Sequence, residues 1–408
     1  MTTSAVGKPS PLQVANLTIW FANGKLMAQC KINMAKSDCT VWHSSVEQLE
    51  LDKAALAIRV SRIQDVLTSD YSTVLTNMAD PLAKPKTGME EQAFDVCMEG
   101  VVSEGSTLFT ELSDQGLRSI LEHITAMPDG SVLTIDTDKA FLPWEILYPA
   151  NYNKDWPASY KHQHRYDLQR FWGYRFIIDY TLLPSDEEGW CPPIEDHSKG
   201  DPYVSLNLNA TIDESFASLP FKPIQFHRDF FNEQLRGEGG ELMERAEEIK
   251  ESLLSAKNSA TLIYLFCHGS SALPFADQAY ERLQLDNNVT IEPGFLESDN
   301  VFLRGPIVVL NACSSGLMSP LSFSSFHTQF RKKRALGLIG TTIQMPATFA
   351  AAFGRKLIEA YIGHIPIGVA LYKLRRELVV EKCNPLALFY SLQCPFHVTA
   401  PSGVVGNA

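Results

Sequence analysis

Three absences narrow this sequence of 408 residues before any motif is read. A helix that spans a membrane needs about 20 consecutive apolar residues, and no stretch reaches that length. The first residues, MTTSAVGKPSPLQ, lack the apolar core of a secretory signal. The eight cysteines stand apart, without a CxxC pair or a regular spacing. That excludes an obvious disulfide framework and an obvious zinc site. Basic excess is missing too: the net charge is −12, which disfavours a nucleic-acid-binding surface. GxxxxGK[ST], HExxH, GxSxG and a GxGxxG after a strand are all absent. Phosphate-loop, zincin, serine hydrolase and dinucleotide chemistry therefore lose their usual signatures. No repeat at periods of about 20–50 residues is visible. The expectation is a reduced, cytoplasmic protein with no metal, no cofactor, no direct nucleic-acid contact and no membrane contact.

What is present is the composition of a folded chain, with 45% hydrophobic and 20% charged residues. The length predicts two or three structural units. Asn23-Gly24 between two alternating runs predicts a hairpin, and residues 52–67 carry apolar positions at helical spacing. Residues 78–90, MADPLAKPKTGME, read as a linker. The expected division is a hairpin-plus-helix unit, a small α+β unit over residues 1–85, and a larger domain over 86–408. The larger domain divides into parts 86–200 and 201–408. The N-terminal unit either docks a partner or extends the fold. Within the larger domain the expected elements are a helix near 112–127, a turn at 128–130 and a strand at 131–135. Short strands follow at 203–208 and 223–227, then an amphipathic helix carrying Leu242, Met243, Ala246, Ile249 and Leu253. Apolar strands at 261–266, 306–310 and 335–342 alternate with helical segments. That alternation implies an α/β fold with a mostly parallel sheet covered by helices on both faces.

Two of these apolar strands end alike. "YLFCHGSS" (residues 264–271) passes from a buried run to His268-Gly269, and "GPIVVLNACSSG" (residues 305–316) ends in Ala312-Cys313. In open α/β sheets the carboxyl edge is where sites are built. A thiol at such an edge needs a base or an electropositive neighbour to become a thiolate, and a leaving amine needs a proton donor. Glycine and small residues beside them let backbone N–H groups approach a reacting carbonyl. The plainer alternatives stay open at this point. His268 could cap a strand, and Cys313 could be a small buried hydrophobe. Cys267, next to His268, alternates to the other side of its strand and should face the core.

These two segments resemble the signature of the CHAT-family caspase-like cysteine peptidases of clan CD. "LPWEIL" (142–147), "FWGYRFIIDY" (171–180), "RALGLIGTT" (334–342) and "NPLALFYSLQCP" (384–395) resemble further stretches of that family, so the similarity runs from about residue 91 onward. The resemblance implies a caspase-like fold and a cysteine endopeptidase in which His268 is the general acid/base and Cys313 the nucleophile. The amides of Gly269 and Cys313 would form the oxyanion hole. It also implies a protein substrate, an activating protein partner, and work in a regulated bacterial system such as antiviral defence. Glu145 matches a recurrent family carboxylate, either an anchor for the Trp144 loop or a pocket residue. The stretch "IQMPAT" (343–348), where many members carry Trp and then an acid, leaves Gln344 and Met345 as neutral pocket candidates. A catalytically silent scaffold that binds partner proteins is the alternative.

Other features carry less. Glu281 and Asp286 are candidates for a third catalytic residue only because they lie between the two strands. "RKKR" (331–334) reads as the solvated end of a helix rather than a processing site or an anion patch. His162 and His164, beside Asp167, are weak evidence for a metal.

Overall fold

The computed structural model describes residues 13–22, 25–33, 47–49, 62, 65, 70–137, 142–149, 167–182, 197–237, 239–270, 282–311 and 326–402. Strands β1 (Val14–Ala22) and β2 (Lys25–Asn33) pair antiparallel, with Ala22 opposite Lys25. This is the register that a two-residue turn at 23–24 requires. Leu17 and Ile19 on β1, and Ala28, Cys30 and Ile32 on β2, are buried, and their neighbours are only partly so. This is the alternation of strands with one face on a core. β3 (Glu47–Leu49) flanks β2, while β1 pairs in parallel with β4 (Val132–Thr137) and β4 with β5 (Ile177–Leu182). The result is a five-stranded sheet in the order β3-β2-β1-β4-β5. The boundary expected at residue 85 therefore runs through one sheet: the N-terminal hairpin extends the sheet of the next segment. Of the helix expected over residues 52–67, Arg62 and Asp65 are helical and the rest lies outside the described residues.

The linker expected at 78–90 ends differently. Thr87 and Glu90 form a reciprocal capping box, and the helix Gly88–Leu112 starts there. Met78 and Leu82 are buried in the main core. The long helix kinks at Gly116, whose φ of 109° suits glycine, and continues as Arg118–Thr125. Leu108, Leu112, Ile120, Leu121 and Ile124 cover one face of the five-stranded sheet. Gly130, at φ 82°, closes the turn into β4.

The second large sheet holds the strands of most interest. β6 (Val204–Leu208), β7 (Gly240–Met243) and β8 (Leu262–Phe266) are followed by β9 (His268–Ser270), β10 (Arg282–Gln284) and β11 (Thr290–Ile291). Next come β12 (Ile307–Leu310), β13 (Gly337–Thr341) and β14 (Tyr390–Gln393). The six-stranded order is β14-β13-β12-β8-β6-β7, parallel throughout except for β14. β8, β12 and β13 are buried along their whole length, as strands of a parallel sheet covered on both faces must be. Helices Pro223–Phe230, Ala347–Ile362 and Ile367–Arg376 pack on one face, and Ala246–Leu254 and Phe326–Lys332 on the other. β9, β10 and β11 form a small antiparallel sheet of their own. The architecture is a mixed α/β fold with a mostly parallel sheet. Among the described residues no helix is long and apolar enough to cross a membrane.

Two expected elements change type. Residues 223–227 are the start of a helix, not a strand: Pro223 sits in its first turn, and Asp213 accepts from the amides of Ile224 and Gln225 at 2.8 and 3.0 Å. Leu242 and Met243 belong to edge strand β7, and the helix begins only at Ala246.

Candidate active site

β8 and β12 are parallel neighbours, with Leu265 opposite Leu310. The ladder continues past their ends, because the Asn311 amide donates to the Leu265 carbonyl at 2.9 Å. Leu262, Tyr264 and Phe266 point to the core shared with Ile307 and Val309, while Ile263, Leu265 and Cys267 point to the opposite core with Val308 and Leu310. Cys267 therefore faces the core, as alternation predicts, and burial pushes its thiol up to about 12. It is an inert thiol. His268 begins β9, opposite Gln284, and is half-buried; Gly269 is buried and pairs with Leu283. Cys313 and Glu281 lie outside the described residues.

Beneath this edge lies a neutral buried network. Asn311 donates through Nδ2 to the Tyr264 hydroxyl at 2.8 Å and to the Ala350 carbonyl. Its Oδ1 accepts from the Tyr390 hydroxyl at 2.8 Å. Tyr264 in turn meets His227 Nε2 at 3.1 Å. Burial, with a smaller contribution from Arg355, lowers His227 to about 3, so its ring is neutral. Gly354 is required here: a Cβ at that position would sit 2.3 Å from the Tyr264 hydroxyl. Sequence reading singled out none of Asn311, Tyr264 and Tyr390. The one available signal was the asparagine immediately before Ala312-Cys313.

Glu145 is joined to this network through Arg375 and Tyr390. It is buried beside Trp144, with Arg375 Nη2 donating to its Oε1 at 3.1 Å and the Tyr180 hydroxyl to its Oε2 at 2.7 Å. Arg375 also donates to the Tyr390 carbonyl. Desolvation raises the Glu145 carboxyl above its ordinary value, opposed by Arg375 and Tyr180. Both oxygens of the carboxylate are thereby engaged. Met345 is packed in the main core, whereas Gln344 is exposed. Asp286 is committed to a turn, accepting from the amides of Asn288 and Val289 at 2.7 and 2.6 Å.

Lys333 of the basic run is buried, not solvated, and donates to Ser298 Oγ and the Asn300 carbonyl at 2.9 and 2.8 Å. Burial lowers its ammonium from the ordinary value. Asp167 pairs with Arg170 at 3.3 Å, and His162 and His164 lie outside the described residues. Among the described residues no group of three or more His, Cys, Asp or Glu is gathered to hold a metal. A cavity of about 560 Å³ opens between β7, the helix Ala246–Leu254 and the turn at 255–259. It is lined by Glu241, Glu248 and Lys257, on the side where β6 and β8 begin.

No family model and no curated protein matches this chain. Among solved structures it is similar to the separase–securin complex of Saccharomyces cerevisiae. Two crystal structures of that complex align at 10% and 12% identity with TM-scores of 0.49 and 0.47. Each alignment covers 94% of this chain and 30% of the other, so this chain spans under a third of that length. The Arg-specific cysteine proteinase gingipain R aligns at 12% identity with a TM-score of 0.39, covering 83% of this chain and 75% of that one.

Proposed function

We propose that the protein is a cysteine endopeptidase of the caspase-like kind, working through His268 and Cys313. One observation carries the reading, the register of β8 and β12. Leu310 lies opposite Leu265, an offset of 310 − 265 = 45, and 313 − 268 is also 45. His268 follows the end of β8 by two residues, and in the sequence Cys313 follows the end of β12 by three, so each comes directly after one of two neighbouring strands that end at the same carboxyl edge. Adjacent strands lie about 4.8 Å apart. A substrate carbonyl fits between groups so related, and tight contact in the free enzyme is not required.

In this reading the Cys313 thiolate attacks the scissile carbonyl carbon, and the oxyanion takes hydrogen bonds from the amides of Gly269 and Cys313. His268, holding the thiol proton, delivers it to the leaving amine as the C–N bond breaks. Water then attacks the thioester, giving one proton back to His268, and the thiol is regenerated as the acid leaves. No metal or cofactor enters. The family resemblance supplies the finer part: a protein substrate, cut in a regulated bacterial defence or signalling system, with an associated protein as activator. The charge of Glu145 is already met by Arg375, so the side chain before the scissile bond should be uncharged, since an unpaired cation there would cost several kcal/mol. The test is a peptide chloromethyl ketone panel followed by mass spectrometry. Labelling should fall on Cys313, should be lost in His268→Ala, and should favour uncharged side chains. Labelling elsewhere refutes the dyad, and dominant reaction with Arg or Lys probes refutes the preference.

A further inference from the structure

The chain changes sheets across a single residue. β8 ends at Phe266 in the parallel sheet and β9 begins at His268 in the antiparallel one, so Cys267 alone stands between them. A side chain one residue past such a junction has its position set by whatever holds the two sheets together. Asn209 stands at that point, just beyond the end of β6, and is fully buried. Its amide donates to the Phe266 carbonyl at 2.8 Å, on the last residue of β8. Its Nδ2 donates to the Gln284 carbonyl at 3.0 Å, and Gln284 is the residue opposite His268. Its Oδ1 accepts from Thr211, at 3.0 Å from the amide and 2.7 Å from the hydroxyl.

We propose that Asn209 is a positioning residue for His268, clamping β10, and through it β9, onto the end of the parallel sheet. The inference rests on the reading of His268 as the general acid/base. A plainer role exists, because Asn209 also caps the helical turn Ala210–Phe216. That cap needs only an acceptor, and Asp or Ser would serve as well as Asn. The clamp needs a donor in addition, aimed at a carbonyl two strands away. An aspartate only accepts, and a serine hydroxyl, which can do both, is one bond shorter and falls short of Gln284; the asparagine amide serves both partners from one position.

The substitutions Asn209→Asp and Asn209→Ser separate the two roles: each keeps an acceptor toward Thr211, while Asp removes the donor toward Gln284 and Ser withdraws it by one bond length. The measurement is the rate of alkylation of Cys313 by iodoacetamide in the full chain as a function of pH, followed by mass spectrometry. In the wild type the rate should inflect below the free-thiol range. In both variants, folded and melting close to the wild type, the inflection should move up by about one unit, and the rate at neutral pH should fall by about tenfold. Thr211→Ala, which removes the hydroxyl's bond to Oδ1 but keeps the capping amide and the donor toward Gln284, should leave the profile unchanged. Folded variants with the wild-type profile overturn the clamp, and so does failure of both variants to fold, which would make Asn209 a general stability residue. If wild-type Cys313 reacts no faster than half-buried Cys383, the dyad reading falls and the inference with it. If wild-type Cys313 is fast and the variants match it, only the inference falls.

Discussion

In and beside the five-stranded sheet lie the buried charged groups Glu145, Arg375 and Asp179, while the network under the ends of β8 and β12 is neutral. Glu145 and Arg375, each 1% exposed, join the first half of the chain to the last helix, and Asp179 on β5 takes the Phe396 amide at 3.0 Å. Under β8 and β12 the partners are an asparagine, two tyrosines and a neutral histidine. The contrast separates two tasks. Opposite charges taken out of water are costly when either is lost, so they make a strong tie between halves of a molecule. Neutral hydrogen bonds are individually worth about 1 kcal/mol, but they are directional, and they suit an edge where position matters more than cohesion.

The largest effect should come at that edge. Cys313→Ala or His268→Ala should lower cleavage of a peptide substrate by about a thousandfold or more, with thermal melting close to the wild type. A large fall in melting temperature in either variant would place the residue in the core and erase the contrast. Across the border the opposite pattern should hold. Glu145→Gln or Arg375→Ala should cost about 3–5 kcal/mol in urea unfolding, because each leaves a buried group without its partner. Alkylation of Cys313 in the folded fraction should be unaffected. A loss of reactivity larger than the loss of stability would mean that Glu145 belongs to the site after all.

Asp179 sharpens the comparison through pH. Burial, the largest cause, holds its carboxyl up at about 6 against an ordinary value of 3.8. Between those values the folded protein keeps a proton that the unfolded chain has released, so stability falls as pH rises through this window. Asp179→Asn should remove that loss, adding on the order of 1–3 kcal/mol near pH 7.5 and nothing below about pH 4. A gain that is equal at both ends of the range would assign the effect to packing. The smallest expected change is that of Cys267→Ala. It should cost about 1 kcal/mol from lost core volume and leave Cys313 reactive. Loss of all thiol reactivity in that variant would mean that the wrong one of the two cysteines has been named.

How legible these features were in the sequence follows from how local their causes are. β8, β12 and β13 are short runs buried on both faces, and such strands announce themselves by composition. The capping box at Thr87 and Glu90 was equally local, but the prolines around it drew the segment toward a linker. Residues 223–227 satisfy period two and helical spacing at once. What decides between them is a carboxylate at Asp213, outside any short window. The β1–β4 pairing joins strands more than 100 residues apart in the chain, with nothing local to announce it. The partners of Glu145 are equally remote, since Arg375 stands 230 positions further on. His268 and Cys313 could be proposed because a histidine and a cysteine directly after apolar strands are chemically distinctive. Asn209 and Asn311 could not, because an asparagine's importance lies in what surrounds it.

The tie between Glu145 and Arg375 also has a consequence in time. A ribosome makes the carboxylate long before the guanidinium, and β14, which covers the outer side of β13, emerges later still. Until then the nascent chain carries a half-built interior, with an acid that has no counter-charge and a parallel sheet with an open flank. Such a chain should stay soft to protease until synthesis passes residue 393, and a fragment ending at residue 374 should be digested where the full chain resists. Closure of the molecule is therefore a late event, complete only once β14 has docked on β13.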